Sequence, residues 1–152
     1  MKKILLILLL TIPLIGFGQS RYHIDKVTSP NDTLTYLKSD MSLLNGVVYS
    51  EFGEMGKYVN GKKEGLHKRW DENGQLRDRG NWKDGKKEGL HKRWYENGQL
   101  KEEENWKDGK VNGEQKSYRK NGKVRMVGNF KDDKFDGVSK VYYDNGQLEQ
   151  EL

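Results

Sequence analysis

"ENGQLRDRGNWKDGKKEGLHKRWYENGQLKEEENWKDG", residues 72–109, says nearly the same thing twice. Asn-Gly, Asp-Gly, a lone glycine and a tryptophan recur in fixed order. Asn-Gly and Asp-Gly tolerate positive φ, which is why they close hairpins. No run between them carries an apolar 3.6-residue stripe long enough for a helix. Each copy therefore reads as strand, tight turn, strand, longer loop.

The pattern extends in both directions. Gly65, Gly89, Gly113 and Gly137 are spaced 24 residues apart, and 17 of 24 positions are identical between blocks 66–89 and 90–113. A block at 114–137 is looser, a partial one ends the chain at 138–152, and a shortened one lies between Gly46 and Gly65. A fixed period in this range marks a repeat architecture. The expected fold is all-β: an elongated single-layer antiparallel meander of stacked hairpins. It divides into a signal peptide (1–18), an N-terminal cap with a leading strand (19–41) and the repeat array (42–152).

Register follows from the hydrophobic pattern. A three-residue loop Glu72-Asn73-Gly74 sets Trp70 opposite Leu76 and puts glycine where a bulged hairpin needs a left-handed residue. Strict alternation then predicts one apolar face carrying Trp70, Trp82, Trp94, Trp106, Tyr118, Phe130 and Tyr142. Lys68 would oppose Asp78 on it, and Lys92 would oppose Glu102. The other face would be wet and cationic, with His67, His91, Arg69, Arg77, Arg79, Arg93, Lys101 and Arg125 exposed.

"G-x-x-x-x-W/Y-x-x-N-G-x-L" followed by "N-W/F-K-D-G/D-K-x-x-G" resembles the MORN repeat variant, from about Gly46 to Leu152. Thr33–Lys38 and residues 45–49 look like the leading strands of such arrays. The resemblance implies an elongated sheet of hairpins and no catalytic residues. It also implies interaction roles: scaffolds, lipid binders and, among bacterial members, antitoxin-like proteins. The shortened first block and Asp133 in a glycine slot depart from the pattern, so irregular geometry is expected there.

The chain has 152 residues, a formal net charge of +5 and no cysteine. Disulfides and thiol chemistry are thereby excluded. Lys2 and Lys3 precede an apolar run, Ile4–Phe17, closed by Gly16 and Gly18. Fourteen residues at ~1.5 Å each span about 21 Å, short of a ~30 Å bilayer core. This reads as a signal peptide cleaved after Gly18, so the expectation is an exported protein, periplasmic or extracellular.

Catalytic and metal patterns do not assemble. His67 and His91 share a slot, but equivalent slots lie two strands, about 9.6 Å, apart, too far for zinc–nitrogen bonds of ~2.0 Å. "DDKFDG" (132–137) resembles a calcium loop but has Lys134 at a ligand position. Ser117-x-x-Lys120 falls on a strand rather than the helix its catalytic use requires. The expectation is no enzyme, no cofactor and no metal. Two surfaces remain. The aromatic column suits a protein partner. The set Arg69, Arg77, Arg79, Arg93, Lys101 and Arg125 suits anionic lipid or polysaccharide of the envelope. A modest charge on an exported chain argues against nucleic acid.

Overall fold

The computed structural model describes residues 19–31 and 33–152, so the expected signal peptide lies outside the described residues. Among the described residues the regular structure is almost all β. Short strands β1 (Arg21–His23), β2 (Val27–Thr28) and β3 (Tyr36–Leu37) precede β4 (Gly46–Ser50) and β5 (Gly53–Val59). The array continues with β6 (Lys62–Trp70), β7 (Leu76–Lys83), β8 (Lys86–Trp94), β9 (Leu100–Lys107), β10 (Lys110–Tyr118) and β11 (Val124–Lys131). It closes with β12 (Lys134–Phe135), β13 (Lys140–Tyr142) and β14 (Leu148–Glu151). From β4 to β11 the strands pair in chain order, each antiparallel to the next. The expected meander is therefore present. β1 differs: it adds to β4 in parallel. Tyr36–Leu37, expected to lead the array, pairs with β2 in a separate two-stranded sheet instead.

Two turn types alternate along the two long edges. On one edge, Asp71 N–H donates to the Gln75 carbonyl and Trp70 pairs with Leu76. This leaves the expected loop Glu72-Asn73-Gly74, with Gly74 at φ 76°. The same bond recurs at Tyr95–Gln99, Arg119–Lys123 and Tyr143–Gln147. The opposite edge is tighter than the expected longer loop. Asp84 and Gly85 have φ of 50° and 79°, and Lys83 pairs directly with Lys86. Two successive positive φ values make a type I′ turn, whose twist matches that of the strands it joins. What read as loop between Asp-Gly and the lone glycine is strand.

Asp133 keeps that turn intact. Its φ is 67°, and its N–H reaches the Val111 carbonyl at 3.0 Å, as Gly85 reaches Lys63 and Gly109 reaches Lys87. Aspartate tolerates this region better than most side chains, and its carboxylate accepts from Val111 N–H at 2.7 Å. The irregularity falls later: β12 spans two residues and pairing resumes only at β13.

Bulges recur at two places along the array. Arg69 pairs with Asp78 and Trp70 with Leu76, so Arg77 is an extra residue; Lys101 and Arg125 are extra in the same way. Farther along, the single residue Gly80 faces three residues of β8, since Arg79 pairs with Lys92 and Asn81 with Glu88. The fully apolar core is small and sits at the N-terminal end. Val27, Leu44 and Val48 are buried there, with Tyr22, Leu37, Met55 and Tyr58 packed around them. The cap thus covers the first hairpin, and the rest of the array is one layer.

Candidate binding faces of the sheet

The bulges decide which side chains share a face. Alternation along β6 puts Gly65, His67 and Arg69 on one side and Leu66, Lys68 and Trp70 on the other. Past the bulge at Arg77, β7 continues with Asp78, Gly80 and Trp82 on the His67 side. The predicted aromatic column is therefore split. Trp82, Trp106 and Phe130 lie on a ring face; Trp70, Trp94, Tyr118 and Tyr142 lie on the opposite, basic face. An extra residue inverts the side-chain alternation, and the spacing in the sequence does not announce it.

On the ring face a row of aromatic groups crosses the strands. Tyr58, His67, Trp82, His91 and Trp106 touch in succession, with centroids 5.0, 6.3, 5.8 and 6.0 Å apart and mostly edge-to-face. The two histidines, expected on the wet face, are only 7% and 8% exposed. Each imidazole lies across a glycine of the preceding strand. A Cβ built on Gly56 would stand 2.4 Å from His67 Nδ1, and one on Gly80 would stand 2.1 Å from His91 Nδ1. Nε2 of His67 donates to the Lys57 carbonyl at 2.8 Å, and Nε2 of His91 to that of Asn81 at 2.7 Å. A carbonyl only accepts, so this bond selects the Nε2–H tautomer. Burial pushes the His67 pKa down to about 4 and lowers that of His91 as well.

The sequence holds a signal for this arrangement that residue type alone conceals. Glycine and histidine stand eleven positions apart at Gly56/His67 and Gly80/His91. One repeat later the pair becomes Glu104/Gln115. With no ring lying across it, Glu104 carries a side chain there, and Gln115 Nε2 reaches it at 3.3 Å. In the last repeat Phe135 and Ser139 lie over Gly128 instead.

Cations and acids on the ring face satisfy each other. Lys63 sits 4.4 Å above the Trp82 ring and Lys87 3.8 Å above the Trp106 ring. Arg69 pairs with Asp78. Arg93 bonds Glu102 at 2.9 Å and Glu104 at 3.4 Å, and approaches Asp78 at 3.5 Å. Trp106 Nε1 donates to Glu104 at 3.2 Å. A cleft of about 500 Å³ runs over this network, from Met55 to Arg93. Of the cations expected to be free for anionic surfaces, Arg69 and Arg93 are thus committed to ion pairs. Arg77 faces Asp71 at 3.7 Å, and Lys101 lies 5.7 Å from the Tyr95 ring. Arg79 and Arg125 are exposed, with no carboxylate partner among the described residues.

The basic face is more open. Leu66 and Leu90 occupy equivalent slots and are 39% and 42% exposed. Beside them Lys92 bonds Glu103 at 2.6 Å, and Tyr118 donates its hydroxyl to the same carboxylate at 2.6 Å. Those two bonds, Lys92 first, hold Glu103 below the usual carboxylate range. The expected pairs Lys68–Asp78 and Lys92–Glu102 are replaced by Arg69–Asp78, Lys92–Glu103 and Arg93–Glu102, because each bulge shifts the partner by one residue.

The model of the MORN repeat variant matches residues 63–84, 87–108, 111–132 and 135–152. The chain belongs to the MORN repeat variant family. The matches begin at 24-residue intervals, each at the strand after a type I′ turn, so the family unit is strand, Asn-Gly turn, strand. MORN repeats are non-catalytic modules that engage proteins or membranes. No curated protein matches the chain.

Proposed function

We propose that this MORN array is an exported, non-catalytic module that docks a protein partner on its basic face, around Leu66, Leu90, Trp70 and Trp94. The observation that carries the reading is the pair of half-exposed leucines in equivalent slots of a sheet that has no second layer there. An apolar row left open on a charged face marks an interface more often than a core. The ring face is the weaker candidate, since its rings and charges already satisfy one another. Neutralisation of a toxin is a special case that rests on family likeness. A photo-crosslinking residue at position 90 tests the reading. It should capture one protein from envelope fractions, an equivalent probe at 102 should not, and Leu66→Ser/Leu90→Ser should abolish capture from 90. Equal capture from both positions sinks it. Export is checked separately: mass spectrometry should find a mature chain beginning at Gln19.

A second reading has its own observation. Several cations of the basic face lack a carboxylate partner among the described residues, including Arg79, Lys83 and Lys107. Such a face attracts anionic lipid or polysaccharide of the envelope.

A further inference from the structure

Seven consecutive strands, β6 to β12, each place one lysine on the basic face beside the tight turns of the Asp84-Gly85 edge. Lys83 stands directly opposite Lys86, Lys107 opposite Lys110, and Lys131 opposite Lys134. Lys62 begins the row, its side chain against Gly85. At ~4.8 Å per strand the row is about 29 Å long. Like charges directly opposite one another destabilise a hairpin, yet three such pairs follow in succession. Of the seven, only Lys110 has a carboxylate partner among the described residues: Asp132, at 3.8 Å with both groups largely exposed. Glu64 and Glu88, two residues inside the row on β6 and β8, accept the N–H of Asp84 and Asp108 at 3.0 Å. A local rule broken three times, with one exposed ion pair as the compensating contact, marks a position kept for function.

We propose that this row binds a linear acidic polysaccharide, laid across the strands with its carboxylates on successive lysine ammonium groups. The inference rests on the second reading above and names its ligand and its place. A row one cation wide matches a line of anions. A bilayer approached edge-on would first meet Asp84, Asp108, Asp132 and Asp133 at the turn tips, which repel it. The row contains no arginine, so it lacks the bidentate fork suited to phosphate, and its point charges suit single carboxylates spaced along a chain.

The test is titration of the full chain with polygalacturonate at low salt. The variant Lys83→Gln/Lys107→Gln/Lys131→Gln is compared with Lys26→Gln/Lys38→Gln/Lys120→Gln, which removes the same charge elsewhere. The row variant should bind about tenfold more weakly or worse, and the control should stay within about twofold of the parent. The row variant should also melt at a higher temperature, because the repulsion between facing lysines is relieved, so a loss of binding is not a loss of folding. Equal weakening in both variants reduces the effect to net charge and overturns the site. Undiminished binding by the row variant does the same. Binding to phosphatidylglycerol vesicles with none to the polymer overturns the inference and leaves the second reading standing; binding to neither removes both.

Discussion

At the scale of single residues, the pairing of glycine with histidine explains why two side chains of a hydrophilic array are buried. Gly80 has ordinary backbone angles, so its requirement is spatial: a Cβ there would strike the His91 ring. Gly98 is the reverse case, with φ 80° and nothing within 4 Å of a Cβ. Gly98→Ala should therefore cost only backbone strain, ~1–2 kcal/mol, and leave ring packing unchanged. Gly80→Ala should cost more, ~2–4 kcal/mol, and quench or shift the Trp82 fluorescence; equal losses in denaturant melts would contradict the clash. The buried imidazoles also set a pH dependence. The pKa of His67 is depressed from 6.5 to about 4 in the folded chain. Between those values the unfolded state binds the extra proton, so stability rises with pH across this window and its contribution is lost as pH falls towards 4. The span corresponds to on the order of 3 kcal/mol from His67, with His91 adding in the same direction. Replacing both by Gln, the residue of this slot in the third repeat, should flatten the slope between pH 4 and 6.5 in urea melts. A slope that persists would place the titrating groups elsewhere.

At the scale of the hairpin, bulges set partners, and partners set energies. Arg93 joins Asp78, Glu102 and Glu104, and Glu104 is buried. Arg69 meets Asp78 alone, from a mostly exposed position. Arg93→Met should leave a buried carboxylate without its cation and cost ~1–3 kcal/mol. Arg69→Met should cost under ~1 kcal/mol, as exposed pairs do. A chemical-denaturation series comparing the two checks the ordering, and equal costs would mean the network contributes no more than an isolated pair. Hairpins also bond to hairpins at their tips. Tyr95 donates to the Tyr118 carbonyl at 2.8 Å, Asn97 to that of Lys120 at 2.8 Å, and Arg119 to that of Tyr142 at 2.6 Å. These contacts link the Asn97-Gly98 turn to the Asn121-Gly122 turn, and that turn to Asn145-Gly146, at nearly one repeat's separation.

At the scale of the whole molecule, the cap and the array divide the work of folding. Apolar burial is concentrated where the cap meets the first hairpins, around Leu44 and Val48. Beyond it each repeat relies on the preceding strand, through a ring contact at His67 and His91, the Gln115–Glu104 bond one repeat later, and the turn contacts. Stability should then be a sum of nearest-neighbour terms. Deleting residues 90–113 joins Gly89 to Glu114 in phase and should yield a shorter, less stable array. Deleting 90–101 removes one strand and the Asn97-Gly98 turn, puts the two turn types on the wrong edges and should give an aggregated or unfolded product. Far-UV circular dichroism with thermal melts distinguishes them; a folded half-repeat deletion beside an unfolded full one would refute the hairpin unit.

The sequence by itself determined the fold class, the 24-residue period, the Glu72-Asn73-Gly74 loop and the pairing of Trp70 with Leu76. Those depend on local chemistry: glycine at positive φ, Asn-Gly and Asp-Gly in tight turns, and repetition that makes slots equivalent. The tertiary structure alone decided the faces. Arg77, Lys101 and Arg125 read as ordinary strand residues, yet each is an unpaired extra that reverses the alternation after it. Strict alternation therefore joined Trp70 to Trp82, exposed His67 and left Arg93 unpaired, whereas in the sheet two rows of rings face opposite ways, the imidazole lies over a glycine of the neighbouring strand, and Arg93 meets three carboxylates. A bulge is set by how two strands twist against each other, and that relation does not exist until both strands are in place.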